Sequence, residues 1–202
     1  HSLMLTGANR YGLEHVAFKT ESIDDLEGYE TNLERYGCTV ERIAAGTELG
    51  QGEAIRFDSP TGHTMEIYAK MEKVGNGLPL FNPPPMPMDL VGISPPRLDH
   101  CLLTTENVPD AARFMSEVLG FRLTEQLVTN EGYQLIVFFE RSRQPHDIAF
   151  TRGANGGLHH FAYWLDSWAE IGRAADILRM NGIDIDIGPP RHGITRGHTI
   201  YF

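Results

Sequence analysis

The sequence predicts an α+β fold: paired βαβββ modules in two domains. Three observations predict it. The chain repeats itself at a constant offset of 145 residues (Gly12 to Gly157), helix-capping signals recur at that offset between alternating runs, and a proline-rich stretch breaks the 202 residues in the middle. In the repeat, Gly12-Leu13-Glu14-His15-Val16-Ala17-Phe18 lies on Gly157-Leu158-His159-His160-Phe161-Ala162-Tyr163. Ser22 lies on Ser167, Leu33 on Leu178, Gly37 on Gly182 and Phe57 on Phe202, with no gap from residue 1 to residue 57.

Each copy has a β-α-β-β-β rhythm. His1 to Leu5 reads as a strand, and Leu13 to Lys19 alternates like one. Ser22 to Gly37 reads as a helix, with Ser22 as N-cap and Asp25 near N3. Leu26, Tyr29, Leu33 and Tyr36 form its apolar stripe, and Gly37 suits the left-handed position past its end. Residues 75–97 hold seven of the 12 prolines and read as an inter-domain connection, because proline removes donors and fixes φ. Arg97 to Thr104 is a strand; Pro109 opens a helix with Ala112, Met115, Val118 and Leu119 that ends at Gly120. Phe121 to Leu127, Tyr133 to Glu140 and His146 to Thr151 are strands. Ser167-Trp168-Ala169-Glu170 is a capping box for a helix through Ile171 and Leu178 to Gly182.

The expected domains are therefore residues 1–74, the connection 75–97, and residues 98–202. Residues 98–145 of the later copy lack a counterpart in the earlier one, and residues 58–70 of the earlier copy lack one in the later. The chain thus reads as the middle of a longer protein, with both domains truncated. The first holds a final strand and a nearly complete module; the second holds a complete module and one lacking its last strand.

Lys plus Arg number 17 against 27 Asp plus Glu, a net charge of −10, so no basic face recommends nucleic acid as a partner. Cys38 and Cys101 are too few for a disulfide framework and read as reduced thiols of a cytoplasmic protein. No apolar run approaches the roughly 20 residues that span a bilayer, so a membrane is not an expected partner.

The chemistry concentrates in histidines. Of nine, six lie within residues 98–202: His100, His146, His159, His160, His192 and His198. On a strand, His100 shares a face with Leu98 and Leu102, while Asp99 and Cys101 point the other way. A histidine there is a hydrogen-bonded core group or a metal ligand. Of His159 and His160, parity lets one face a given side, and the repeat marks His160 because His15 is its counterpart. His100 and His160 each sit on the first strand of a module, so paired modules bring them to one ion. Iron(II) then requires a third, anionic ligand, the two-His-one-carboxylate set. In the earlier copy Glu66 follows His15, and the repeat puts its counterpart about nine positions beyond Phe202. His15 and Glu66 themselves form either a relic site or a buried histidine beside a surface carboxylate.

The runs Arg97-Leu98-Asp99-His100, Val118-Leu119-Gly120-Phe121, Pro145-His146-Asp147-Ile148-Ala149, Gly157-Leu158-His159-His160 and Ile187-Gly188-Pro189-Pro190-Arg191-His192-Gly193 resemble the type I extradiol dioxygenases of the vicinal oxygen chelate superfamily (glyoxalase/bleomycin resistance-like), and among them the catechol 2,3-dioxygenase branch. The resemblance implies Fe(II) in the second domain, with His100 and His160 as its histidine ligands and a Glu in a Pro-x-Gly-x-x-x-Glu context as the third. It implies that His146 is the acid/base histidine, that His192 contacts substrate, and that Tyr201 lies near the iron and the substrate oxygens. His159 and His198 stay outside the site.

The implied reaction is extradiol (meta) cleavage of catechol or alkylcatechols with O2 to 2-hydroxymuconate semialdehyde-type products, in the degradation of aromatic compounds. Apolar Ile187 before His192 leans toward catechols without an acid group. The partners are a small aromatic diol and O2, with a homotetramer implied by full-length relatives. Two other readings stay open: a glyoxalase-like metal-dependent lyase or isomerase with four protein ligands, and a metal-free small-molecule binding module. The histidine clustering weighs against the last.

Overall fold

The computed structural model describes residues 3–72 and 91–202, so most of the expected connection, including Pro79 to Pro87, lies outside the described residues. The chain divides into two compact units; the described parts are residues 6–72 and 100–160 for the larger, and residues 3–5, 91–99 and 161–202 for the smaller.

In the larger unit, β1 (Val16–Lys19), α1 (Asp25–Tyr36), β2 (Val40–Ile43), β3 (Ala54–Asp58) and β4 (Thr64–Tyr68) follow the expected rhythm. The strands form a sheet in the order β1-β4-β3-β2, with β1 parallel to β4 and the rest antiparallel. The second sheet takes β5 (Arg97–Thr105), β6 (Arg122–Val128), β7 (Gln134–Glu140), β8 (Ile148–Arg152) and β9 (Gly157–Trp164) in the order β6-β7-β8-β5-β9. β5 runs parallel to β8, with Cys101 opposite Ile148.

One core joins the two modules of this unit. Leu26 and Leu33 of α1, Phe57 and Met65 of the first sheet, and Leu103, Ile148 and Phe150 of the second pack with Phe114 and Met115. Phe18 meets Phe121 edge-on at 5.1 Å between centroids, and Phe57 lies 6.2 Å from Phe114. Burying aromatic rings of this size is the main favourable term in such a core.

Local chemistry sets the helix starts, not always where the sequence suggests. Ser22 is not the N-cap: α1 begins at Asp25, whose carboxylate accepts from the Ser22 N–H at 2.9 Å and the Thr20 hydroxyl at 2.8 Å. A carboxylate in the first turn satisfies the donors of the approaching chain and so delays the helix. Gly37 closes α1 at φ 102°, as expected. The second helix, α2 (Val108–Arg113), starts one residue before Pro109, because Asn107 accepts from the Asp110 N–H at 3.2 Å. It runs on into a π-helical turn, Phe114–Val118, and Gly120 stops it at φ 69°.

In the smaller unit, α3 (Trp168–Met180) is capped by Ser167, which accepts from the Glu170 N–H, while the Glu170 carboxylate reaches back to the Asp166 N–H at 2.7 Å. The expected strand at His1–Leu5 does not form in its described part, residues 3–5, which stay exposed and unladdered. Tyr201 and Ile187 bridge antiparallel, the Tyr201 N–H donating to the Ile187 carbonyl at 2.8 Å.

Candidate metal centre

Three of the predicted site histidines converge in the larger unit. His100 sits on β5, His160 on the neighbouring β9, and His146 just before β8, on the other side of β5. The Nε2 atoms of His100 and His160 lie 3.4 Å apart. The His100 ring lies 4.1 Å from that of His146 and 5.5 Å from that of His160. His146 is buried and meets Phe138 edge-on at 5.0 Å. Parallel pairing of β5 with β8 and the adjacency of β9 place the three rings from residues far apart in sequence.

The turn that presents His146 is organised by the Asp147 carboxylate. It accepts from the backbone N–H groups of Arg141 at 2.6 Å and Ser142 at 2.9 Å, the Ser142 hydroxyl at 2.6 Å, and the Gln144 amide at 2.7 Å. Burial works against the Asp147 charge, yet these donors outweigh it and hold the carboxyl below the usual range.

The donor set fits a metal ion in spacing and type. Two imidazole nitrogens, each about 2.1 Å from one ion and at a right angle, stand about 3.0 Å apart. The observed separation of 3.4 Å is within reach of one ion, since two such bonds span at most about 4.2 Å. Among the described residues no group of three or more His, Cys, Asp or Glu side chains is arranged to hold a metal, so His146 does not complete a ligand set with the other two. Cys101 packs toward the core, as alternation requires, and burial, aided by Asp147, pushes its thiol up to about 12.

His159 differs from expectation. It does not stand apart from His160: the two Nδ1 atoms lie 2.9 Å apart and the rings 5.0 Å. β9 is the last strand of its sheet among the described residues, so both rings can bend around the free edge. Only the lattice of contacts, not the alternation of the sequence, reveals this.

His192 and Tyr201 come together in the smaller unit. The His192 Nδ1 lies 2.8 Å from the Ile194 carbonyl, to which it donates, leaving Nε2 to accept from the Tyr201 hydroxyl at 3.4 Å. Burial pushes the Tyr201 phenol above its ordinary range. His198 stacks on Trp168 at 4.3 Å.

The His15–Glu66 pair is closed. Glu66 is fully buried, its Oε1 accepting from the Gln51 amide at 2.7 Å and its Oε2 from Arg56 Nε at 2.9 Å and Nη2 at 2.6 Å. The expectation of a surface carboxylate is therefore corrected: this is a buried ion pair in the middle of the sheet. The guanidinium takes the place a cation would need.

Residues 97–202 match the glyoxalase/bleomycin resistance protein/dioxygenase superfamily, and residues 13–72 match the catechol 2,3-dioxygenase-like N-terminal domain. The chain belongs to that superfamily, in its catechol 2,3-dioxygenase-like branch. It is 39% identical over 203 residues to a metapyrocatechase of Pseudomonas sp. (strain CF600), and 37% identical over 209 residues to a manganese-dependent 2,3-dihydroxybiphenyl 1,2-dioxygenase of Geobacillus genomosp. 3. Both alignments take in 100% of this chain and 66% of the relative, so the chain spans just under two thirds of their length. Among solved structures, the 2,3-dioxygenase LapB from Pseudomonas sp. KL28 superposes with a TM-score of 0.87 at 41% identity, covering 96% of this chain and 68% of that one. A variant of homoprotocatechuate 2,3-dioxygenase from Brevibacterium fuscum gives 0.82 at 29% identity, covering 94% and 51%. The expected α+β fold of βαβββ modules stands with these neighbours.

Proposed function

We propose that the protein performs extradiol cleavage of catechol or an alkylcatechol with O2, with Fe(II) held by His100, His160 and a carboxylate. The observation that carries this reading is the facing pair of Nε2 atoms 3.4 Å apart beside a buried third imidazole. The names of the relatives support the reaction class; one of them is manganese-dependent, so Mn(II) is the competing ion. A metal ion held by these residues would supply Lewis acidity for the diol oxygens and a redox-active centre for O2.

The chain's own residues handle the protons. His146, beside His100 and walled by Phe138, takes the proton a diol hydroxyl releases and returns it later; imidazole is the side chain whose ordinary proton affinity serves both directions. With a substrate bound, the Tyr201 hydroxyl would turn its one proton from His192 Nε2 to a substrate oxygen, and its raised proton affinity keeps it a donor at neutral pH. His192, with Nδ1 engaged by Ile194, keeps Nε2 as an acceptor, the tautomer it would present to a substrate hydroxyl.

The division into residues 1–74, 75–97 and 98–202 belongs to the same proposal; the family matches end at residue 72 and resume at residue 97. So do a cytoplasmic location and a homotetramer. Among the described residues no helix is long and apolar enough to cross a membrane.

The test is anaerobic loading of the full-length protein with Fe(II) or Mn(II), then catechol and air. Yellow semialdehyde product with Fe(II), lost in His100→Ala and His160→Ala, is expected. Activity retained in both variants, or no colour with either ion, overturns the reading.

A further inference from the structure

The segment that launches β9 is held from two sides. On one side, the Thr104 hydroxyl donates to the Ala154 carbonyl at 2.7 Å, and Asn155 Oδ1 accepts from the Thr105 hydroxyl and the Glu106 N–H, each at 2.9 Å. These bonds tie residues 153–157 to the end of β5, the strand that carries His100. On the other side stands the turn between β3 and β4. There the Gly156 N–H donates to the Thr61 carbonyl at 2.9 Å, and His63 Nε2 lies 3.0 Å from the Gly157 carbonyl.

The backbones touch closely at this seam. A Cβ on Gly156 would lie 2.8 Å from the Gly62 carbonyl oxygen, and one on Gly62 would lie 3.0 Å from the Asn155 Cβ. Both glycines also have positive φ, 74° and 78°. His63 is itself nearly inaccessible, at 3% exposure. Its Nε2 faces a carbonyl and must therefore carry the proton; its Nδ1 is then the acceptor for the Thr61 hydroxyl at 2.8 Å. The ring is thus fixed in tautomer and in orientation, with its one donor aimed at Gly157. His160 lies three residues further along the same strand.

We propose that His63 is a positioning residue for the metal centre: by anchoring the Gly157 carbonyl it fixes where β9 starts, and so the distance between the His160 and His100 imidazoles. This rests on the reading that those two histidines hold a metal. A ligand spacing is sensitive to shifts of a few tenths of an ångström, while the fold is held by the core around Phe114 and tolerates such a shift.

The experiment measures the dissociation constant of Fe(II), anaerobically, in the full-length protein and three variants, well below each unfolding temperature. The Co(II) ligand-field spectrum is recorded alongside. His63→Leu, which fills the space without a donor, is expected to weaken Fe(II) binding by about 10- to 100-fold and to change the Co(II) bands. His63→Gln, whose amide N–H can reach the same carbonyl, is expected to restore binding to within about threefold and to restore the spectrum. Thr61→Val, which frees the ring to turn, is expected to fall between them and serves if the leucine variant does not fold. Wild-type protein that binds no divalent ion overturns the metal-centre reading and this inference with it. Wild-type binding together with unchanged affinity and spectrum in His63→Leu, or in Thr61→Val where that variant stands in for it, overturns the inference alone.

Discussion

Arg56→Met is the perturbation whose size the structure sets most directly. Glu66 is fully buried, and Arg56, with a side chain 20% exposed, gives it two hydrogen bonds at 2.6 and 2.9 Å. Methionine keeps the aliphatic stem and removes the charge, leaving a buried carboxylate with the Gln51 amide for company. Removing one partner of a buried pair costs about 3–5 kcal/mol, because the remaining charge is uncompensated. At about 2–4 °C per kcal/mol for a chain of this length, the unfolding temperature falls by roughly 10 °C. Neutralising the survivor reverses most of this. In Arg56→Met/Glu66→Gln the Gln51 amide keeps an acceptor and no charge is buried, so the double variant should lie within about 1–2 kcal/mol of wild type. Urea denaturation of the four proteins of the cycle, at one pH and salt concentration, measures the coupling. A single variant that loses less than about 1 kcal/mol, or a double variant no more stable than the single, refutes the reasoning.

Two further predictions follow from buried titratable groups. Burial lowers the proton affinity of His63, against the opposing pull of the Gly157 carbonyl, so on acidification the unfolded chain takes up this proton before the folded one does. Its contribution to stability is present above the unfolded value of about 6.5 and is lost as pH falls below that; denaturant midpoints of metal-free protein between pH 7.5 and 5.5 should drop, and less steeply in His63→Gln. Cys101, with its thiol pushed up to about 12, should resist thiol reagents at pH 8 until the protein unfolds, as mass spectrometry of labelled protein would show.

The parts of the site that alternation controls were legible. His100 and Cys101 point to opposite faces of β5, and the repeat singles out His160 because His15 sits at the same place in the earlier copy. The parts that depend on contact between distant segments were not. Nothing near His63 announces that it meets Gly157, a residue 94 positions away, since Pro60-Thr61-Gly62-His63 reads only as a turn. Ser22 looked like a cap because capping residues also serve the approach to a helix, and the Asp25 carboxylate decided between the two. The His159–His160 contact was hidden for a different reason: parity describes where a Cβ points, and an imidazole at the edge of a sheet reaches past its Cβ.

The repeat also bears on whether the earlier copy is a second metal centre. Its histidine and carboxylate, His15 and Glu66, match the family pattern, yet Arg56 closes the carboxylate; at the offset of the repeat, the residue opposite Arg56 is Tyr201, which carries no charge to do the same. His15 is the part left over. Its Nδ1 is buried with no hydrogen-bond partner among the described residues, a cost of about 1–3 kcal/mol for an orphaned polar atom. If that nitrogen served a metal, His15→Phe would reduce metal content. If it is a remnant, the substitution removes an unsatisfied group and keeps an aromatic ring, so stability should hold or rise while metal content per chain stays as in wild type. Metal analysis and a urea midpoint on the same preparation distinguish the two: a fall in metal content, or two ions per wild-type chain, would mean that Arg56 does not close the site.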